Sequence, residues 1–223
     1  MTSVSEQQTD GVLTPLKGIR RTAARRMVTA WEAPVFHLVV EVDMSAAMAV
    51  KERVAGATVT DALLAACARA LTAHPALNAH YGQEAVTTFD RINLGLAVAT
   101  EAGLMVPVIH DADRLDLRGV AQARRDVALR AREGQLGMAD VTGGTFTVSN
   151  LGMMGVDRFD AILNTPQVAI LAVGSTRQRY VWNDGDPVWR PLAELTLTCD
   201  HRAVDGATGA SFLTALRQHL ESA

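Results

Sequence analysis

Cysteine is scarce in this 223-residue chain, which contains only Cys67 and Cys199. Both lie in apolar segments, one with a helical pattern and one with a strand-like pattern, and neither belongs to a Cys-x-x-Cys pair. A structural zinc site or a disulfide framework is therefore not expected. We interpret the two side chains as buried free thiols of a protein that works in a reducing compartment.

Long hydrophobic runs and a strong charge of one sign are also missing. No apolar segment approaches the length of about 20 residues that a membrane-spanning helix needs, and the polar N-terminus, MTSVSEQQTDG, lacks the apolar region of a signal peptide. The net charge of −3 gives no overall field that attracts nucleic acid. We predict a disordered tail over residues 1–14, a cytoplasmic protein, and no nucleic-acid or membrane partner.

The rest of the sequence has the composition of a packed globular domain, with 48% hydrophobic and 20% charged residues. Thr58 and Asp61 have the spacing of a helix capping box. Predicted helices lie within residues 15–31, 58–73, 117–133 and 207–220. Predicted strands cover residues 35–42, 91–100, 104–109, 143–150, 166–175, 177–183 and 193–200. Because helices and strands mix without strict alternation, we predict an α+β domain with a mixed or antiparallel sheet.

One histidine lies where a catalytic group would be well placed. His201 follows an apolar strand-like run and precedes a glycine turn, in the segment DHRAVDG. Histidine can accept and return a proton near neutral pH, so a position facing a cleft would suit a general base. A structural hydrogen bond is the alternative. A metal site shared with Asp205, four residues later, is not expected because no third ligand recurs nearby. A serine hydrolase is not expected either, since the chain has no Gly-x-Ser-x-Gly elbow.

The segment DHRAVDG resembles the HRxxDG signature of the dihydrolipoamide acyltransferases, the core subunits of 2-oxoacid dehydrogenase complexes. GGTFTVSNLGMMGV, followed by NTPQVAILAVGS, resembles a second signature of that family. GIRRTAARRM, HPALNAHY and INLGLAVATEAGLMVPVI resemble further blocks in the same order, so the resemblance covers about residues 15–220. It implies one catalytic domain over residues 15–223 with a fold like chloramphenicol acetyltransferase. That fold is a mixed sheet flanked by helices, assembled as a trimer with active sites between subunits.

The resemblance also implies roles for three residues. The catalytic histidine of the family motif falls on His201, its acid on Asp205, and the hydroxyl residue before Asn-Leu-Gly on Ser149. The reaction would exchange one thioester for another, between a dihydrolipoyl thiol and coenzyme A. His201 would take the proton of the attacking thiol, and the Ser149 hydroxyl would donate to the carbonyl oxygen as charge builds on it. Asp205 would be a second base or, as we prefer, would form a structural ion pair with an arginine of the N-terminal segment.

Coenzyme A is the expected small-molecule substrate, and three residues are candidates to contact it. His37 lies in the first predicted strand, where it would line a substrate channel or form a hydrogen bond at a subunit interface. Arg25 and Arg26 belong to a cluster of arginines on the first predicted helix. For that cluster a solvated basic face is the preferred interpretation.

The sequence departs from the family at both ends. Lys17 and Lys51 are the only lysines, and neither lies in the all-β surroundings that present a lipoyl group. We therefore expect the acyl donor on a separate lipoyl-domain or acyl-carrier protein, with 2-oxoacid dehydrogenase components as possible further partners. An excised domain and a stand-alone transferase both fit. The polar ending QHLESA lacks an apolar docking tail, so we predict a homotrimer that does not build a larger shell.

Two further functions stay open on the sequence alone. A trimeric scaffold without activity would keep the fold and lose the chemistry, although the signature residues are intact. Transfer from acyl-coenzyme A to a small hydroxyl or amine acceptor is the other, since relatives with this fold acetylate an antibiotic. The acyl group is not determined, although TCDHRAVDG resembles the acetyl-transferring branch more than the branched-chain one.

Overall fold

The computed structural model of the chain describes residues 11–183 and 185–222. Residues 11–14 are exposed and belong to no helix or strand, whereas the remainder of the predicted tail, residues 1–10, lies outside the described residues. Within the described part the α-helices are Gly18–Trp31 (α1), Ser45–Arg53 (α2), Val59–Ala73 (α3), Leu117–Arg132 (α4), Met138–Val141 (α5) and Gly206–Glu221 (α6).

The same residues form one large sheet and two small hairpin sheets. The strands are Val35–Asp43 (β1), Ala79–Gly82 (β2), Ala85–Thr88 (β3), Leu94–Leu96 (β4), Val98–Thr100 (β5), Gly103–Met105 (β6), Val108–Ile109 (β7), Phe146–Asn150 (β8), Ala169–Val173 (β9), Arg177–Asn183 (β10) and Asp186–Asp200 (β11). In the large sheet the order is β1-β11-β9-β8-β4-β7, and β10 pairs with the first half of β11. Strands β4, β8 and β9 are parallel to one another, and the other pairs are antiparallel. The predicted α+β class with a mixed sheet is confirmed.

Helices α3 and α6 pack on each other, and α6 also packs on β1, so both cover one face of the large sheet. Leu195, Leu197 and Cys199 point from β11 into this core, because alternate residues of a strand face the same side. Thr196 and Thr198 alternate with them and lie on the other face. The predicted capping box at the start of α3 is present, with Asp61 accepting from the backbone N–H of Thr58. The capped helix therefore begins where the sequence places it.

Both cysteines are buried and free, as predicted. Removal from water destabilises a thiolate, so burial raises the pKa of Cys199 to about 12 and that of Cys67 further still. Both thiols are protonated at neutral pH and act as small apolar core residues.

The structure differs from the prediction between residues 91 and 109. Each of the two predicted strands is divided, because the chain leaves the large sheet after β4, forms the β5–β6 hairpin, and returns at β7. Pro107 lies at the return and has no N–H to extend a strand ladder. Helix α5 and the β2–β3 hairpin were not predicted from the sequence. No helix of the described residues is both long and apolar enough to cross a membrane.

Candidate active site

His201 lies immediately after the last residue of β11, on an exposed turn that leads into α6. Its backbone N–H donates to the carbonyl oxygen of Pro34 at 2.9 Å, and its ring packs against Phe36 with ring centroids 4.7 Å apart. Within the part of the chain that the structure describes, neither ring nitrogen has a hydrogen-bond partner. The backbone and one ring face are thus held in place while both nitrogens stay accessible to a thiol.

The turn that carries His201 is fixed by a buried carboxylate on one side. Asp200 is almost completely buried and accepts hydrogen bonds from the backbone N–H and from the guanidinium of Arg202. The guanidinium also lies over the ring of Tyr81, 4.1 Å from its centroid. Because Asp200 and Arg202 flank the histidine, this ion pair sets the path of the backbone through His201.

Asp205 fixes the other side of the turn by capping α6. Its carboxylate accepts a hydrogen bond from the backbone N–H of Thr208 at 2.8 Å. This bond, the bond to the Thr208 hydroxyl and the nearby His201 lower the pKa of the Asp205 carboxyl. The ion pair that we predicted between Asp205 and an N-terminal arginine is absent from the described residues. The cap replaces it because the carboxylate lies at the positive end of the helix, where backbone N–H groups need acceptors.

Ser149 lies in β8, on the side of the sheet opposite to the core residues Phe146 and Val148. It lines a cavity of about 260 Å³ together with Asn150 and Thr60. The turn after β8 is tightly packed, since a Cβ atom built on Gly174 would lie only 1.9 Å from the carbonyl oxygen of Asp157. The glycine-containing loop therefore folds closely over the end of β9 and closes one side of the cavity.

The sheet register keeps Ser149 and His201 apart within one chain. Ser149 aligns with Ala172 in β9, and Ala172 aligns with Thr196 in β11. Neighbouring strands lie ~4.8 Å apart and strand residues rise ~3.3 Å, so the two backbones are separated by roughly 15–20 Å. A reacting carbonyl cannot contact both side chains of the same chain. If both act in one reaction, they come from two copies.

The structure does not bring the other predicted contact residues to the Ser149 cavity. His37 is exposed on β1, its Nδ1 is 2.9 Å from the Thr198 hydroxyl, and it lines a different cavity of about 390 Å³. Arg25 and Arg26 are exposed on α1, and only Arg26 lines a third cavity. No three His, Cys, Asp or Glu side chains of the described residues gather closely enough to hold a metal ion.

The group that supports the Ser149 cavity from the helix side was not predicted from the sequence. The buried carboxylate of Asp61 forms an ion pair with Arg124 of α4, and both Arg124 and Thr60 line the cavity. Asn150 Nδ2 is 3.5 Å from the Thr60 hydroxyl. Arg124 and Arg132, eight residues apart in α4, were the available signal, but the side of the helix that faces the cavity depends on which helix face the fold covers.

The family model for the catalytic domain of 2-oxoacid dehydrogenase acyltransferases matches residues 8–223 of the chain. The chain is 36% identical, over 98% of its length, to the dihydrolipoyllysine-residue acetyltransferase component of the acetoin cleaving system of Bacillus subtilis. It spans 57% of the length of that relative.

Solved structures show the same fold. The truncated catalytic core of the 2-oxoacid dehydrogenase multienzyme complex from Thermoplasma acidophilum is 33% identical and superposes with a TM-score of 0.87, covering 95% of this chain and 98% of that one. Dihydrolipoamide acetyltransferase from Azotobacter vinelandii is 31% identical with a TM-score of 0.89, covering 99% and 96%. Chloramphenicol acetyltransferase, 16% identical with a TM-score of 0.57, covers 88% and 94% and shares the fold alone.

The role of Asp205 as a helix cap can be tested by comparing Asp205→Ala with Asp205→Asn. We expect the alanine variant to melt a few degrees below wild type at pH 7, because it loses the cap, and the asparagine variant to stay close to wild type, because asparagine caps as well. The pKa of the Asp205 carboxyl is lowered by folding, so its stabilisation is present above the ordinary carboxyl range and is lost as the pH falls through the lowered pKa. Thermal unfolding followed by circular dichroism from pH 7 to pH 3 measures this. A gap between wild type and Asp205→Ala that persists undiminished at pH 3 would contradict the assignment.

Proposed function

The chain belongs to the 2-oxoacid dehydrogenase acyltransferase family, and from this membership we propose that it transfers an acyl group between a dihydrolipoyl thiol and coenzyme A. His201 is the general base and Ser149 stabilises the oxyanion. The observation that carries the proposal is a pair of groups: an exposed histidine whose ring nitrogens have no partner among the described residues, and a half-buried serine that lines a cavity.

The spacing of the proposed residues supports these roles. The Azotobacter vinelandii acetyltransferase was studied for the part that a serine, a histidine and an asparagine take in its catalytic mechanism. In that protein the serine precedes the histidine by 52 positions and the asparagine follows it by four. Ser149 precedes His201 by the same 52 positions, and Asp205 follows by four. This chain thus has an acid where that protein has an amide, so we assign Asp205 a positioning role through the helix cap and not a role as a base.

The proposed reaction needs a thiolate as the attacking group, whereas the attacking substrate carries a thiol. An ordinary thiol has a pKa of about 8.5, so only a small fraction is ionised at neutral pH. His201 accepts the proton of the coenzyme A thiol while its sulfur attacks the thioester carbonyl of the acyl-dihydrolipoyl group. The new carbon–sulfur bond forms, the tetrahedral intermediate collapses, and the bond to the dihydrolipoyl sulfur breaks. His201 then returns the proton to that leaving sulfur, so no proton is gained or lost overall.

The carbonyl oxygen becomes negatively charged in the tetrahedral state. A hydroxyl that is already positioned toward this oxygen stabilises the charge without reorganising at the moment of reaction. The Ser149 hydroxyl has no partner among the described residues that would hold it elsewhere, and the pairing of β8 with β9 holds its backbone.

The separation of Ser149 and His201 along the sheet makes one chain insufficient for this mechanism. Closed, symmetric assembly repeats each contact around an axis, so a histidine from one subunit can meet a serine from the next at every interface. We therefore propose a homotrimer with three sites, each shared by two subunits. The lipoyl group, or another carrier-protein thiol, is supplied by a separate protein or by a segment outside residues 15–223.

Removal of the base is the first test. His201→Ala should lower turnover at least ~100-fold, which is the lower range for loss of a general base, with little change in the affinity for coenzyme A. The rate of acetyl transfer from acetyl-coenzyme A to dihydrolipoamide gives the turnover, and calorimetry measures coenzyme A binding. His110→Ala, which changes another exposed histidine, is the matched control. Turnover within a few-fold of wild type in the His201 variant would rule out the proposed base.

Removal of the oxyanion donor is the second test. Ser149→Ala should lower kcat by ~10²–10³ while KM changes little, because the hydrogen bond is made to charge that exists only in the transition state. Steady-state kinetics in both acyl-transfer directions measure the two parameters, with the exposed Ser211→Ala as control. A change confined to KM would instead show that Ser149 binds the ground state.

A further inference from the structure

Helix α4 turns one face toward the Ser149 cavity. Arg124, Ala128 and Arg132 all line it, and their spacing of four residues places them in a row along the helix. With a rise of 1.5 Å per residue, the row is ~12 Å long. The small side chain of Ala128 at its centre leaves room for a ligand to lie along the helix.

The two ends of this row differ in charge. Arg124 is neutralised by the buried carboxylate of Asp61 and lies at the inner end, where Thr60 contacts Asn150, the neighbour of Ser149. Arg132 is exposed at the outer end, and among the described residues it has neither a carboxylate nor a hydrogen-bond partner. The charge at the inner end is therefore neutralised, while the outer end presents a guanidinium that has no counter-charge among the described residues.

The other arginines of α4 show that this arrangement is particular to one position. Arg125 donates to the carbonyl oxygen of Gly56, and Arg130 forms ion pairs with two aspartates. Arg118 is exposed and unpaired among the described residues, like Arg132, but it does not line the cavity. Of the five arginines of α4, only Arg132 both lines the cavity and lacks a partner among the described residues.

The walls between the two ends are largely apolar. Leu104, Met153 and Met154 line the cavity and are strongly exposed, at 60%, 74% and 71%. Methionine side chains are flexible and adapt to a ligand surface. The whole cavity thus suits a narrow, uncharged arm with an anion at its far end.

We propose that Arg132 binds a phosphate group of coenzyme A while the arm between thiol and phosphate lies along α4, over Ala128. A guanidinium binds phosphate through two parallel N–H donors. The alternative anion is a carboxylate at the end of a short dicarboxylic acyl group. That carboxylate is only a few bonds from the thioester carbon and would stay near Ser149, whereas Arg132 lies about two helical turns from the Arg124 end of the row. The geometry therefore favours the phosphate. In this proposal Arg132 contacts coenzyme A, in place of the candidates Arg25, Arg26 and His37 from the sequence.

This assignment rests on the proposed acyl transfer, so its test separates binding from chemistry. The affinities of coenzyme A, 4′-phosphopantetheine and pantetheine, which carries no phosphate, are measured by calorimetry on the wild-type trimer, Arg132→Ala, Arg132→Lys and the matched control Arg118→Ala. We expect Arg132→Ala to weaken binding of a phosphate-bearing ligand roughly 10–100-fold, as for loss of a charge-assisted hydrogen bond. Pantetheine binding should stay within twofold, Arg132→Lys should recover part of the loss, and Arg118→Ala should match wild type.

Three outcomes would overturn the assignment. The first is an equal loss of binding affinity for pantetheine and coenzyme A in Arg132→Ala, and the second is an unchanged affinity for coenzyme A in that variant. The third is a loss of activity confined to transfer of a succinyl group relative to an acetyl group, which would place the anion on the acyl chain. If the binding pattern holds but no thiol is acylated, the phosphate site stands and the proposed function fails. Since Arg132 is exposed, its substitution should leave folding intact, which circular dichroism confirms.

Discussion

The register of the large sheet is the constraint on which the rest of this structure depends. Parallel pairing of β8 with β9 and antiparallel pairing of β9 with β11 fix Ser149 and the His201 turn at separate places on one sheet. A shift by one residue would turn the face of β8 that carries Ser149 into the core, because side chains alternate along a strand. The buried residues Phe146 and Val148 prevent this shift. The same pairing that makes the sheet stable therefore keeps the two halves of the candidate site apart within one chain.

Each half of the site is positioned by contacts that do not themselves react. On one side, the Asp200–Arg202 ion pair and the Asp205 cap hold the turn around His201. On the other, the Asp61–Arg124 pair and the close packing at Gly174 shape the cavity beside Ser149. Removing the partner of a buried carboxylate is strongly destabilising, so the folded chain keeps the Asp200–Arg202 and Asp61–Arg124 pairs in place. In the proposed thioester exchange, the substrates bring the bonds that change, and the protein supplies orientation and a proton acceptor.

The sequence was informative wherever local chemistry decides the outcome. The capping box at Thr58, the end of α4 before Gly134 and the mixed α+β class were predictable, because caps, glycine turns and apolar periodicity act over a few residues. The family motifs located His201, Ser149 and Asp205. The division of the strands around Pro107 and the cap made by Asp205 were not predictable, since both depend on which backbone groups the fold brings near. The position of Arg132 in the Ser149 cavity was not predictable for the same reason, because a charge pattern on a helix does not show which helix face the fold covers.

Mixing two inactive variants tests most directly whether His201 and Ser149 of different copies form each site. Ser149→Ala and His201→Ala chains are unfolded, combined in equal amounts and refolded together, and acetyl transfer is measured beside each variant refolded alone. In a randomly mixed trimer, about a quarter of the interfaces pair an intact serine with an intact histidine, so we predict about a quarter of wild-type activity. Mass spectrometry of the mixture establishes that mixed trimers form. Activity no higher than that of the separate variants, in a sample that contains mixed trimers, would contradict the shared site.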